Sequence, residues 1–213
     1  MTNSLLENST TSKPSLSRKL PRRAAGLSAD NRLRDLPGSD IQVAIDFQTL
    51  DEIKALRKKH YRDIYPDMEL DNDELDQHGL VLYTRDSTGA IVSTARLAHD
   101  GPNGLPEEQH LRAHRARGVR LVEWGRFIIA SKEPALLQRY YQSVYTLSVN
   151  LGFDAIVMAM KPKDVSLHQR LMGLEVVAED TGVTYGGPYS LACVIWDLTS
   201  TKPQFFEWLR RAI

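Results

Sequence analysis

Residues 119–130 read VRLVEWGRFIIA. Leu121, Val122, Phe127, Ile128 and Ile129 give the run the apolar, β-branched and aromatic content of a long buried strand. Glu123 and Arg126 are set inside it. In a regular strand, residues an odd number of positions apart face opposite sides. Gly125 between the two marks a possible bulge, which would re-aim both side chains and free a backbone N–H. Charges inside such a run are costly to bury unless they are paired. Otherwise the two face solvent along one edge or pair with each other.

Upstream, IQVAIDF (41–47) reads as a short strand. A helix follows over 49–65, with Leu50, Ile53, Leu56, His60 and Ile64 near helical spacing. Asp51 and Glu52 are expected in its first turn, where acids complement the helix dipole, and Pro66 stops it. MELDNDELDQH (68–78) is an acidic loop. GLVLYTRD and AIVSTARLA flank a turn cluster at 86–89 and form a hairpin. A long connection over 100–118, with a short helix in it, leads into the strand at 119–130.

Downstream, Pro134 opens an amphipathic helix with Leu137, Tyr140, Tyr141, Val144, Leu147 and Leu151 on one face, ended at Gly152. DAIVMAM (154–160) is a buried strand and 164–172 a short helix. EVVAE and YSLACVIWDL are closing strands, and 203–213 is a last helix. This order predicts an α/β fold whose mixed sheet is antiparallel at first and has a late βαβ unit.

A second charged cluster lies upstream. Arg57, Tyr61 and Tyr65 fall four residues apart on the first helix, so they share a face. Asp73 and Asp76 follow in the acidic loop, and Arg96 lies in the second hairpin strand.

Taken in order, these residues resemble the acyl-homoserine-lactone synthases, the autoinducer synthases of quorum sensing. That family has an Arg and an aromatic four residues on, an acidic pair three apart, a strand Arg and an E-x-S-R-F motif. Here Arg57 with Tyr61, Asp73 with Asp76, Arg96 and the run Glu123-Trp124-Gly125-Arg126-Phe127 stand in those places. Gly125 replaces the usual Ser, and Tyr61 and Tyr65 replace Phe and Trp. The chain is more similar still to the long-chain N-acyl amino acid synthases known from environmental DNA. Those enzymes join a fatty acid from an acyl carrier protein to tyrosine and form no lactone.

The resemblance implies a GNAT-like fold, an acyl-CoA N-acyltransferase-type mixed sheet flanked by helices. It implies direct attack of an amine on an acyl thioester. Glu123 is then the candidate general base, and a backbone N–H near Phe127 and Ile128 the oxyanion donor. Arg57, Tyr61, Asp73, Asp76, Arg96, Trp124 and Arg126 would bind the amino acid, with one arginine clamping its carboxylate. Tyr141, Val144, Tyr145, Met158 and Met160 would line the acyl pocket. No cofactor is expected to be tightly bound, the donor being the acyl-phosphopantetheine of the carrier. Many GNAT enzymes hold coenzyme A through a glycine-rich loop at this helix start, and ASKEPALLQ (130–138) has no glycine. Two other readings stay open: a homoserine-lactone synthase, and a non-catalytic module that senses an acyl ligand or a carrier.

The remaining features set bounds. Over 213 residues Lys plus Arg equals Asp plus Glu, and no aromatic-interleaved basic motif is present, so nucleic acid is not an expected partner. The single Cys193 lies in an apolar run and excludes an internal disulfide. No metal-ligand spacing is present. Arg112, Arg115, Arg117 and Arg120 form a basic stretch suited to docking an acidic carrier protein. Residues 1–38 are rich in Ser, Thr, Pro and Arg and are expected to form a flexible basic arm ahead of one domain over 39–213. No apolar run suits a signal or a membrane span, so a cytoplasmic location is expected.

Overall fold

A computed structural model of the chain describes residues 40–101 and 103–211; the expected basic arm lies outside these. Strand β1 is only Gln42–Val43. The rest of the expected strand yields to the first helix, α1 (Phe47–Tyr61), because Asp46 caps it. The Asp46 carboxylate accepts from the Thr49 N–H at 2.7 Å and from its hydroxyl at 2.9 Å. The helix thus starts earlier than the sequence suggests, and Asp51 and Glu52 fall beyond its first turn. It also ends earlier, and Tyr65 follows in a turn, its N–H bonded to the Tyr61 carbonyl at 2.7 Å. Pro66 disfavours helical backbone at the residue before it. The buried stripe of α1 is Thr49, Ile53 and Arg57; Ile64 is exposed.

Strands β2 (Gly79–Arg85) and β3 (Ile91–Ala98) form the expected hairpin, and β4 (Leu121–Ile129) pairs antiparallel with β3. The connection between β3 and β4 carries a 3-10 turn at Glu108–His110 and helix α2 (Arg112–Ala116). Helix α3 (Pro134–Asn150) leads to β5 (Ala155–Met160), α4 (Pro162–Met172), β6 (Glu175–Ala178), β7 (Ala192–Asp197) and α5 (Pro203–Arg210). The seven strands form one sheet in the order β1-β2-β3-β4-β5-β7-β6.

β4 and β5 are parallel, and their pairing stops early. It runs from Leu121 with Ala155 to Glu123 with Val157, although both strands continue beyond. The sheet therefore splits at its centre. One face of the sheet packs under α3, α4 and α5, where Trp124, Tyr140, Val144, Ile156, Met158, Trp196 and Phe205 form the main core. The other face carries Leu121, Ala155, Val157, Cys193 and Ile195 under the β3–β4 connection, and Val81 and Tyr83 under Ile53 of α1. Leu136 of α3 is buried, whereas Leu137, expected on the apolar face, is 40% exposed. No helix among the described residues is long and apolar enough to cross a membrane.

Candidate active site

The central strand is bulged, at Arg126. Between Gly125, opposite Arg96, and Ile128, opposite Thr94, β4 holds one residue more than β3. Arg126 takes it up with φ of 54°, in the left-handed region that L residues seldom occupy. The extra residue resets the alternation, so Glu123 and Arg126 share a face, contrary to the regular-strand expectation. Gly125 has a different part. A Cβ there would lie 1.9 Å from Glu123 Oε1, so the missing side chain is the space in which the carboxylate rests.

That face holds a continuous ion network. Arg96 donates to Glu123 through Nε and Nη2, each at 3.0 Å. Its Nη1 lies 2.6 Å from Asp73 Oδ2. Arg126 donates to the same Asp73 oxygen through Nε at 2.7 Å, and Arg57 donates to Asp76 at 2.6 Å. Asp76 is also 3.5 Å from Arg96. All six charged residues singled out in the sequence thus meet, brought by α1, the acidic loop, β3 and β4. Burial pushes the Asp73 carboxyl up, but Arg96 and Arg126 outweigh it and hold the group below its usual range. Burial likewise works against the charge on Arg96, and Glu123, Asp73 and Asp76 more than compensate. The Tyr61 hydroxyl donates to the Phe127 carbonyl at 3.0 Å, tying α1 to the bulge, and burial pushes its ionisation up to about 12.

Beside the network lies a cavity of about 780 Å³. Asp73, Arg96, Glu123, Arg126 and Tyr61 line it from one face of the sheet. Trp124, Phe127, Tyr141, Met158, Met160, Leu171 and Trp208 line it from the helical side. The cavity therefore runs through the sheet where β4 and β5 part. Trp124 lies tilted against Phe127 and edge-on to Tyr141, at 5.1 and 4.7 Å between ring centres. Its buried indole N–H has no partner.

Other expected residues lie elsewhere. Val144 is sealed in the main core, and Tyr145 packs against Trp196, Phe205 and Phe206, so neither lines the cavity. The helix turns them toward the sheet and α5, while Tyr141 faces the opening. Ile128 is also buried outside the lining. Of the basic stretch, Arg115 is held by Asp100 and by Glu108, and Arg120 by Asp154 at 2.9 Å. Arg112 and Arg117 are exposed and make no ion pair with a described residue. The Cys193 thiol is buried and pushed up to about 12, by burial and then by the charge of Glu107.

Glu107 itself was not singled out by sequence. It sits at the start of the 3-10 turn between β3 and β4, 3% exposed, and lines the cavity. Burial and then the nearby charge of Glu123 push its carboxyl up to about 7. In the sequence it reads as one of two adjacent acids in a polar loop, and only the packing of that loop against the sheet distinguishes it.

A model of the family described as N-acyl amino acid synthase FeeM matches residues 52–190, well over half of the chain. Among solved structures, FeeM, an N-acyl amino acid synthase from uncultured soil microbes, superposes with a TM-score of 0.62 at 16% identity, covering 75% of this chain and 90% of that one. The AHL synthase LasI gives 0.56 at 13% identity, over 74% and 89%. An acyl-CoA N-acyltransferase from Pseudomonas aeruginosa gives 0.55 at 14% identity, over 74% and 99%. A comparison with curated protein sequences finds no match. The structural likenesses carry the GNAT-like fold. With the family match over the strand, the ion network and the cavity, the chain belongs to the N-acyl amino acid synthase family and is an acyltransferase.

Proposed function

We propose that the enzyme transfers a long-chain fatty acyl group from the phosphopantetheine thioester of an acyl carrier protein to the α-amino group of an amino acid, tyrosine foremost, in the cytoplasm. The observation that carries this reading is the path of the cavity. It joins a charged recess on one face of the sheet to an apolar space under α3, α4 and α5 on the other. A polar acceptor and a lipid tail fit its two ends, with the thioester between them at the split.

The chemistry is aminolysis. The acceptor nitrogen must shed a proton before it attacks, and a carboxylate of the recess accepts it. Arg126 is the guanidinium placed to clamp the acceptor carboxylate: it lines the cavity and is 13% exposed, against 1% for Arg57 and Arg96. The unpartnered Trp124 N–H and the main chain at Phe127, just after the bulge at Arg126, supply donors for the developing oxyanion. Holding both substrates in one cleft removes the entropy of a bimolecular encounter. The start of α3 favours a carrier-borne donor. Pro134 removes one N–H there, so a pyrophosphate would find one donor fewer, and the Glu133 carboxylate at the capping position is engaged with Arg139 at 2.6 Å.

The test is an assay of the purified protein with acyl-loaded carrier protein and a panel of amino acids, with products weighed by mass spectrometry. An acyl amide of an amino acid, with release of carrier thiol, supports the reading. An alkali-labile lactone would favour homoserine-lactone synthesis. Binding of the carrier without thiol release on any amine would favour a sensor module.

A further inference from the structure

Lys161 and Asp164, which also line the cavity, offset each other in charge, and the recess at the sheet is one cation short. Arg57, Arg96 and Arg126 are matched by Asp76, Glu123 and Asp73 in contacts of 2.6 to 3.0 Å. Glu107 is a fourth carboxylate in the same recess. It is 3% exposed, it lines the cavity, and its Oε2 has no hydrogen-bond partner. Nor does it cap the turn it begins, although it stands at the capping position; the neighbouring Glu108 accepts from Leu105 instead, at 3.2 Å. A buried carboxylate oxygen without a donor is expensive unless a ligand supplies one. Glu123 is in the opposite state. Both its oxygens are gripped by Arg96, so protonating it would break a two-point pair in a buried setting.

We propose that Glu107, rather than Glu123, receives the α-ammonium group of the acceptor and acts as its general base. The ammonium supplies the missing positive charge. It then passes one proton to Glu107 Oε2 and leaves a neutral amine facing the thioester. The nitrogen attacks the acyl carbon, and the C–S bond breaks as the C–N bond forms. The second nitrogen proton goes to the departing sulfur, and Glu107 releases the first to solvent, so one thiol, one amide and one proton result. Five groups face Glu107 electrostatically: Glu123, Arg126 and Arg96 from β4 and β3, Tyr185 from the loop before β7, and Cys193 from β7. Burial raises both the tyrosine and the thiol, and both oxygens of Glu123 are held by Arg96, whereas Glu107 Oε2 has no donor.

This assignment rests on the acyl-transfer reading above, and the experiment separates the two. Wild type and Glu107→Gln are assayed at pH 7 with an amino acid and with hydroxylamine, a nucleophile that is largely neutral there and needs no base. Loss of a general base predicts a fall of about 100-fold in kcat/KM with the amino acid. With hydroxylamine the two proteins should agree within a few fold. An equal loss with both acceptors, or wild-type turnover by the variant, would overturn the role of Glu107. A second measurement needs no variant: the wild-type pH profile should rise through about 7 with the amino acid and stay flat with hydroxylamine. The same rise with both acceptors would also overturn it. Wild-type protein that acylates hydroxylamine but no amino acid would instead sink the choice of acceptor proposed above.

Discussion

Arg96 and Glu123 face each other across β3 and β4 as a two-point pair, Nε to Oε2 and Nη2 to Oε1, each at 3.0 Å. The guanidinium also touches Asp73, which keeps Arg126, so removing it strands the buried Glu123 carboxylate and weakens the hold on Asp73. Replacing Arg96 by Met should therefore cost about 3–5 kcal/mol of stability. Chemical denaturation of both proteins measures it. A loss below about 1 kcal/mol would mean that water already solvates the recess.

Gly125 leaves room for that pair. In Gly125→Ala the new methyl group meets the Glu123 carboxylate, which must leave its seat on Arg96. Turnover should fall by at least about tenfold, and stability by roughly 1–3 kcal/mol, the cost of overpacking. Parallel kinetics and thermal melts of the variant check both figures.

Glu107 gives stability a pH dependence of known sign. In the unfolded chain its carboxyl loses its proton near 4.5, and in the folded protein near 7. Between those values the folded state holds the extra proton, so this contribution is complete below 4.5 and is lost as pH rises through 7. Glu107→Gln lacks the effect. Its melting temperature should match wild type near pH 4 and exceed it at pH 8, the gap there being on the order of 3 kcal/mol. A gap that closes toward high pH would contradict the burial of an ionising Glu107.

Met158 and Met160 bound the apolar end of the cavity. Enlarging Met158 to Phe should shorten the acyl chain the enzyme accepts, with little change for short donors. Competition among donors of graded chain length measures the shift. Unchanged selectivity would place the lipid elsewhere.

Arg112 and Arg117 are the exposed members of the basic stretch that make no ion pair with a described residue, whereas Arg115 and Arg120 already have acidic partners. Charge reversal at Arg112 and Arg117 together should raise KM for an acyl carrier protein several-fold. It should leave a small acyl thioester unaffected, and the difference should shrink with added salt. Equal effects on both donors would remove this stretch as the docking surface.

Much of this site was legible in the sequence, and the reason is cost. A charge in an apolar strand, or an arginine such as Arg57 on the inner stripe of a helix, is stable only beside an opposite charge. Glu123 and Arg126 in an apolar strand therefore asked to be paired, and the resemblance gathered Arg57, Arg96, Asp73 and Asp76 with them. The order of elements along the chain followed equally directly from period and turn residues. What escaped were features that only packing settles. The bulge needs a register between two strands, so the shift at Arg126 was assigned to the neighbouring glycine. Tyr145 and Val144 repeat with the helix as Tyr141 does, yet a small change in azimuth turns them into the core. Glu107 sits in a loop where acids are ordinarily solvated, and nothing local sets it apart.

The parting of β4 from β5 has a consequence for how ligands arrive. The ladder bonds given up there are forfeited once, as the chain folds, and no later event has to wrench neighbouring strands asunder. Guests meet a doorway that already stands ajar in the middle of the molecule, and the free energy of their contacts goes into holding them rather than into prising the protein open.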